Sequence, residues 1–322
     1  MALDDDDPAG RADLYEISTW EVRSPLDRAS VAGYRLVVRI GKVLVVLGAL
    51  LVLVAIGALG ALSNPAIALL TAISALPALL LAVYVWHSDV TAREPLTLVA
   101  ATFLLAVLTA GFAAVINGLL QPIFSTLGVL GMVLFFYLVV GPVEESVKLL
   151  AVRLYAYDDD RFDAVIDGAV YGAVAGLGFA TIENAIYISQ AVGAVGGVSL
   201  GLELIGIGGD ITTTRALAGP GHVIYSAFAG YYLGLSKFNP DHRGPIVVKG
   251  LIVAALIHAT YNATVGIGSG LIQAATGLPS IVASFTYILL YAGLFGYLLY
   301  LKLKRYRVAY RRAGRREATE AG

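Results

Sequence analysis

The stretch VVGPVEESVKLLAV, residues 139–152, places two adjacent carboxylates, Glu144 and Glu145, and the amine of Lys148 among aliphatic side chains. It ends a run from Leu96 to Val143 that contains no Asp, Glu, Lys or Arg. A charged side chain at the centre of a bilayer costs roughly 2.5–3.5 kcal/mol on insertion scales, so such groups usually face a partner or a wet cavity. The stretch therefore predicts a membrane helix that carries chemistry.

The composition predicts an all-α polytopic membrane protein. Hydrophobic residues make up 58% of the 322 positions and charged residues 14%, and the mean hydropathy is +0.80. These values exclude an ordinary soluble domain. Windows long enough for a hydrocarbon layer of ~30 Å predict about eight transmembrane helices, near residues 43–62, 66–86, 96–119, 127–153, 165–190, 211–235, 247–267 and 281–303.

The basic residues predict the orientation, because Lys and Arg are retained on the cytoplasmic side of short loops. Residues 63–65, 120–126, 191–210 and 268–280 contain neither, whereas the alternate segments hold nearly all of them. We therefore expect a multi-pass protein of the cell membrane with both termini in the cytoplasm. Because the first span follows a polar arm, we expect no cleavable signal peptide.

The same pattern predicts the organisation of the chain along its length. A cytoplasmic arm at 1–42 precedes a three-helix membrane segment at 43–125 and a catalytic membrane core at 126–267. A final transmembrane helix at 268–304 precedes a basic cytoplasmic tail at 305–322.

Polar residues at membrane depth are concentrated in the fourth to seventh predicted helices. At ~1.5 Å per residue, four of them lie about 13–24 Å from the cytoplasmic markers, within one middle zone: Glu144, Glu183, His222 and His258. We expect these four helices to enclose a polar cavity. We expect Arg215 to snorkel towards the opposite face or to pair with Asp210.

Proline and glycine positions support a cavity between these helices. Pro142 and Pro220 each precede a candidate residue and leave a helix carbonyl without its usual partner, which lipid does not tolerate. Gly168, Gly172 and Gly176 form a small-residue face that predicts close approach of another helix.

These residue types can supply the parts of a protease. A buried Glu144 or Glu145 could activate water, two imidazoles could shuttle protons, and Asn262 could steady an oxyanion. Glu144, His222 and His258 could alternatively hold zinc with an open position for water, although no HExxH motif occurs. A metal-free mechanism stays open beside zinc.

Rival functions use the same residues. A proton- or cation-coupled transporter would place acids and histidines in the membrane, and a non-catalytic protein could bind membrane peptides there. Two other designs of intramembrane protease do not fit the sequence. The GxSG motif of the serine type would need a glycine where Ile267 stands in GIGSG, residues 266–270, and the GxGD motif of the aspartyl type would need one where Ile207 stands in GIGGD, residues 206–210.

Four motifs in this order resemble the PrsW family of intramembrane proteases, distant relatives of the CAAX prenyl endopeptidases. EExxK matches Glu144, Glu145 and Lys148, and FxxxEN matches Phe179, Glu183 and Asn184. An isolated histidine matches His222, and an HxxxN-type motif matches His258 and Asn262.

The resemblance implies hydrolysis of a membrane-embedded or membrane-proximal protein, within the bilayer and without nucleic acid as a partner. It implies catalytic roles for Glu144, Glu145, Glu183, His222, His258 and Asn262, with Lys148, Phe179 and Asn184 in support. We expect Glu144 to activate the water and Glu145 to make a supporting hydrogen bond. The resemblance leaves metal dependence, substrate identity and oligomeric state open.

Overall fold

The protein is helical throughout the residues that its computed structural model describes, which are 22–89, 94–194 and 203–320. The helices are α1 Pro25–Ala55, α2 Ala58–Ser63, α3 Pro65–Trp86, α4 Leu96–Ser125, α5 Gly128–Phe135, α6 Gly141–Leu154, α7 Val165–Ala194, α8 Glu203–Lys237, α9 Arg243–Thr276 and α10 Ser280–Glu320. A π-helical turn, Phe136–Val140, joins α5 to α6. No strand occurs among the described residues, so the predicted all-α class is confirmed.

Seven helical segments of the described chain are long and apolar enough to cross a membrane. They correspond to seven of the eight predicted spans, with α5, the π-helical turn and α6 together forming the segment Gly128–Leu154. The remaining predicted span, near 211–235, lies in α8, a helix of 35 residues. Polar residues including Arg215 and His222 interrupt its apolar sequence. The protein is therefore a multi-pass membrane protein.

The chain divides into two units. In the first, the described part is residues 22–45, which contains the first turns of α1. The second begins at Val46 and contains the rest of α1 and all the later helices.

Helix α7 forms the centre of the second unit, and 94% of its most apolar window is buried. The glycine face predicted from the sequence packs against α8. A Cβ atom added at Gly172 would overlap the Ser226 carbonyl, and one added at Gly176 would overlap the His222 carbonyl. Only glycine permits this distance between the two backbones, so the prediction of a close helix approach is confirmed.

The two proline positions have different structures. Pro142 lies in the first turn of α6, directly after the π-helical turn, so the helix changes its hydrogen-bonding pattern before the proline. Pro220 lies inside α8, which continues through it. Because Pro142 and Pro220 each precede a polar residue of the site by two positions, the two irregularities border the same region of the bundle.

Candidate active site

Two adjoining cavities lie inside the bundle, with volumes of about 430 and 340 Å³. Each is within the range of ~300–1,000 Å³ that is typical of ligand sites. Five residues line both of them: Asn117, Gln121, Glu144, Glu183 and Tyr187. The smaller cavity is also lined by His222 and Arg215 of α8 and by His258 and Asn262 of α9. The four helices predicted to enclose a cavity therefore all line this one.

Glu144 presents one satisfied and one unsatisfied oxygen. Its Oε1 accepts a hydrogen bond of 3.1 Å from Asn117 Nδ2 on α4. Its Oε2 is buried and has no hydrogen-bond partner among the described residues. Two positively charged or ionisable nitrogens lie within 4 Å of that oxygen, Lys148 Nζ at 3.8 Å and His258 Nε2 at 3.7 Å. Oε2 is therefore an unused acceptor, and one water molecule could contact both this oxygen and His258 Nε2.

Glu145 has the opposite environment, because protein groups occupy both of its oxygens. Oε1 accepts a hydrogen bond of 2.7 Å from Lys148 Nζ and lies 2.9 Å from His258 Nδ1. Oε2 accepts a hydrogen bond of 3.2 Å from the Ser226 hydroxyl. The side chain is fully buried. Adjacent residues on a helix point in directions about 100° apart. Glu144 therefore faces the cavity with one oxygen unpaired, whereas both oxygens of Glu145 contact protein groups.

His222 links Lys148 to Glu183. Its Nδ1 lies 2.9 Å from Lys148 Nζ, and its Nε2 lies 2.9 Å from Glu183 Oε2. The same carboxylate pairs with Arg215. A continuous set of polar contacts therefore connects α6, α7 and α8 through the middle of the bundle.

The remaining predicted residues lie around this set. The Phe179 ring centroid is 4.3 Å from Lys148 Nζ and 5.3 Å from the His222 ring. Asn184 is fully buried, donates to Ser74 Oγ at 2.9 Å and accepts from Arg215 Nε at 2.8 Å. The structure thus brings all the predicted site residues to one region, in which Asn184 lines neither cavity and contacts the site through Arg215.

Two polar residues, Asn117 and Arg215, contact the site in ways that the sequence did not predict. Asn117 lies on α4, the third predicted span, outside the four helices that are predicted to enclose the cavity. Arg215 contacts Glu183 and Asn184 at the cavity wall, so the expectation that it snorkels is wrong. The Asp210 side chain, its other expected partner, lies outside the described residues. An amide inside an otherwise apolar span was the available signal for Asn117.

The contacts of His258 determine its tautomer. A carboxylate only accepts hydrogen bonds, so Nδ1, which faces Glu145, carries the proton in the neutral ring. Its Nε2 then has a lone pair that faces Glu144 Oε2. The Tyr225 ring stacks on the imidazole with centroids 5.1 Å apart and fixes its plane.

The set Glu144, His222 and His258 offers three ligand atoms that lie within 4.8 Å of one another, a spacing that could hold a metal ion. The open Oε2 of Glu144 and the free Nε2 of His258 suit a metal, and a carboxylate behind a ligating histidine is a common arrangement. His222 does not suit it. Its Nδ1 accepts from the Lys148 ammonium, so its Nε2 carries the proton that faces Glu183, and neither nitrogen has a free lone pair.

The sequence has clear relatives among known proteins. Residues 94–312 match the family described as "PrsW family intramembrane metalloprotease". "Protease PrsW" of Shouchella clausii is 31% identical over 126 residues, which are 39% of this chain and 52% of that protein. "Protease PrsW" of Bacillus subtilis is 34% identical over 124 residues, 38% of this chain and 50% of that protein. "Protease PrsW" of Clostridioides difficile is 26% identical over 190 residues, 58% of this chain and 75% of that protein.

No solved structure matches the chain significantly. The chain spans about half the length of the first two relatives described above. The family match covers more than half of this chain and includes all four motifs and the cavity residues that they place together. The chain belongs to the PrsW family of intramembrane proteases.

Proposed function

We propose that this protein hydrolyses a peptide bond of a membrane-embedded or membrane-proximal protein, with a water molecule activated by Glu144. One observation carries the proposal. Glu144 Oε2 is buried, has no hydrogen-bond partner in the part of the chain that the structure describes, and lies 3.7 Å from His258 Nε2 of the same cavity lining. A single water can hydrogen bond to both atoms at that separation.

In the proposed reaction the water oxygen attacks the carbonyl carbon as Glu144 Oε2 accepts one of its protons. The tetrahedral intermediate then collapses, the C–N bond breaks, and the proton on Glu144 passes to the leaving amine. His258 Nε2 is close enough to relay that proton. Asn262 lines the same cavity one turn from His258, and its amide would donate a hydrogen bond to the oxyanion.

The other site residues act through these groups. Glu145 holds His258 in one tautomer and neutralises Lys148. Glu183 and Arg215 fix His222, which in turn orients Lys148 near both carboxylates. Phe179 packs on Lys148 and His222, and Asn184 anchors Arg215. We assign these residues positioning roles.

A zinc ion is the alternative to this metal-free reaction. It would be held by Glu144, His222 and His258 and would supply a more acidic water. Because both nitrogens of His222 are engaged, the arrangement favours the metal-free reaction and we derive no step through zinc.

The substrate class follows from where the cavity lies, between helices that pass through a membrane. We propose a protein or peptide of the membrane as substrate and a cytoplasmic location for both termini. Both the family description and the relatives' names support a protease and give the transporter alternative no support.

The experiment is cleavage of a tagged library of single-span substrates in liposomes that contain the purified protein. We expect products with the wild type and none with Glu144→Gln, and strongly reduced cleavage with His258→Ala. Asn239→Ala, at an exposed position in the turn between α8 and α9 that lines neither cavity, serves as the matched control and retains activity. Undiminished cleavage by Glu144→Gln and His258→Ala would refute the proposal.

A further inference from the structure

Within the described part of the chain, Asn117 is the one hydrogen-bond partner of Glu144 that comes from outside the four motif-bearing helices. It lies on α4 and lines both cavities, as does Gln121 one turn further along the same helix. Two uncharged amides at a spacing of four residues therefore face the space in which a substrate would lie.

The contact with Glu144 fixes the orientation of the Asn117 amide. A carboxylate oxygen only accepts hydrogen bonds, so the group that faces Glu144 Oε1 must be the NH₂ group of the amide, at Nδ2. The other branch of the same planar amide is then the Oδ1 atom. That oxygen is buried and has no hydrogen-bond partner among the described residues. A buried acceptor without a donor is unfavourable, and such groups in folded proteins usually have a function or a ligand.

Because Asn117 lines both cavities, a donor that enters either of them is a candidate partner for this oxygen, and a peptide backbone supplies such a donor at nearly every residue. We propose that Asn117 Oδ1 accepts a hydrogen bond from a backbone N–H of the substrate, which rests on the proposed function. The same amide then holds Glu144 by its Nδ2 and the substrate by its Oδ1. The water-activating carboxylate and the peptide are thereby fixed relative to each other through one rigid planar group.

The hydrogen bond from Asn117 to Glu144 also explains why the two oxygens of Glu144 have different environments. Asn117 occupies Oε1, so only Oε2 stays open for the water. Because the contact is with the peptide main chain, it does not depend on the substrate side chain. It gives affinity and register to a substrate of any sequence that can enter the cavity, with Gln121 able to extend the same type of contact along α4.

The test is an ester scan of a peptide that the wild-type protein cleaves. Backbone N–H groups on either side of the scissile bond, but not in it, are replaced one at a time by ester oxygens, which cannot donate. For the wild type we expect one position at which kcat/KM falls about three- to tenfold, the value of one hydrogen bond. In Asn117→Ala the same replacement should have no further effect, and in the control Asn239→Ala it should keep its full effect.

The comparison within each variant removes any general loss of folding or activity, because ester and amide peptides meet the same protein. Equal ester effects in the wild type and in Asn117→Ala at every position would overturn the proposal while leaving the proteolysis intact. Absence of cleavage by the wild type would instead refute the proposed function. A sensitive position that is lost in Gln121→Ala but retained in Asn117→Ala would assign the contact to Gln121 and also overturn the proposal.

Discussion

The Nδ1 atom of His258 lies 2.9 Å from Oε1 of Glu145, and both side chains are buried. This contact orients the imidazole so that its other nitrogen faces Glu144. Neighbouring carboxylates of one motif therefore reach the same histidine from two sides. Glu145 orients the imidazole ring through Nδ1, and Glu144 lies beside Nε2 in the lining of the cavity.

Replacement of Glu145 should affect stability more than replacement of Glu144. Glu145→Gln removes the negative charge that neutralises Lys148, and breaking a buried ion pair costs about 3–5 kcal/mol. Glu144→Gln loses little, since no described residue makes a hydrogen bond to Glu144 Oε2. Thermal unfolding in detergent measures both variants, and an equal decrease in melting temperature would contradict the assigned roles.

Close packing of α7 on α8 should make Gly172 sensitive to the smallest substitution. Gly172→Ala places a methyl group against the Ser226 carbonyl, and we expect a loss of about 1–3 kcal/mol from overpacking. Gly193→Ala on the same helix is the matched control, because a Cβ there meets no atom of the described residues within 4 Å. Unfolding in detergent should leave the control within about 0.5 kcal/mol of the wild type. Equal stability of the two variants would show that the helices do not pack this closely.

Glu94, in the loop before α4, should make stability depend on pH. Burial raises the pKa of Glu94 from its ordinary value of 4.5 to about 8, and the charges of Asp167 and Asp89 act in the same direction. The Tyr171 hydroxyl, which donates to Glu94, opposes the shift. The folded protein therefore binds this proton more tightly than the unfolded chain does. The stabilising contribution is complete below pH 4.5 and is lost as the pH rises through about 8.

Glu94→Gln keeps the shape of the side chain and removes its titration. We expect the wild type to lose melting temperature between pH 5.5 and 8.5 relative to Glu94→Gln, with the variant the more stable at the higher pH. Parallel pH profiles for the two proteins would contradict a buried, protonated Glu94.

Metal removal should leave proteolysis intact. Both nitrogens of His222 are engaged, one by Lys148 and the other by Glu183. The protein is treated with a chelator and analysed to verify that the metal is gone. The metal-free reaction predicts that it then cleaves its substrate at the original rate. Loss of activity on chelation, with recovery on addition of zinc, would contradict that reaction and support a site in which His222 releases Lys148.

The motif residues could be predicted from the sequence because lipid penalises charge. Glu144, Glu183, His222 and His258 were conspicuous in apolar spans, and the glycine repeat predicted the α7–α8 contact. The contribution of Asn117 could not be predicted by the same criterion, since an uncharged amide is only moderately unfavourable in a helix interior. The different environments of Glu144 and Glu145 depend on the packing of α8 and α9, which spacing along the chain does not specify.

Isotope labelling of the products tests the central claim most directly. Liposomes with the wild type or Glu144→Gln are incubated with substrate in water enriched in oxygen-18, and the products are analysed by mass spectrometry. We predict that the wild type yields a new carboxyl terminus that carries oxygen-18 and that Glu144→Gln yields no product. Labelled product formed by Glu144→Gln at the wild-type rate would contradict the claim that Glu144 activates the water.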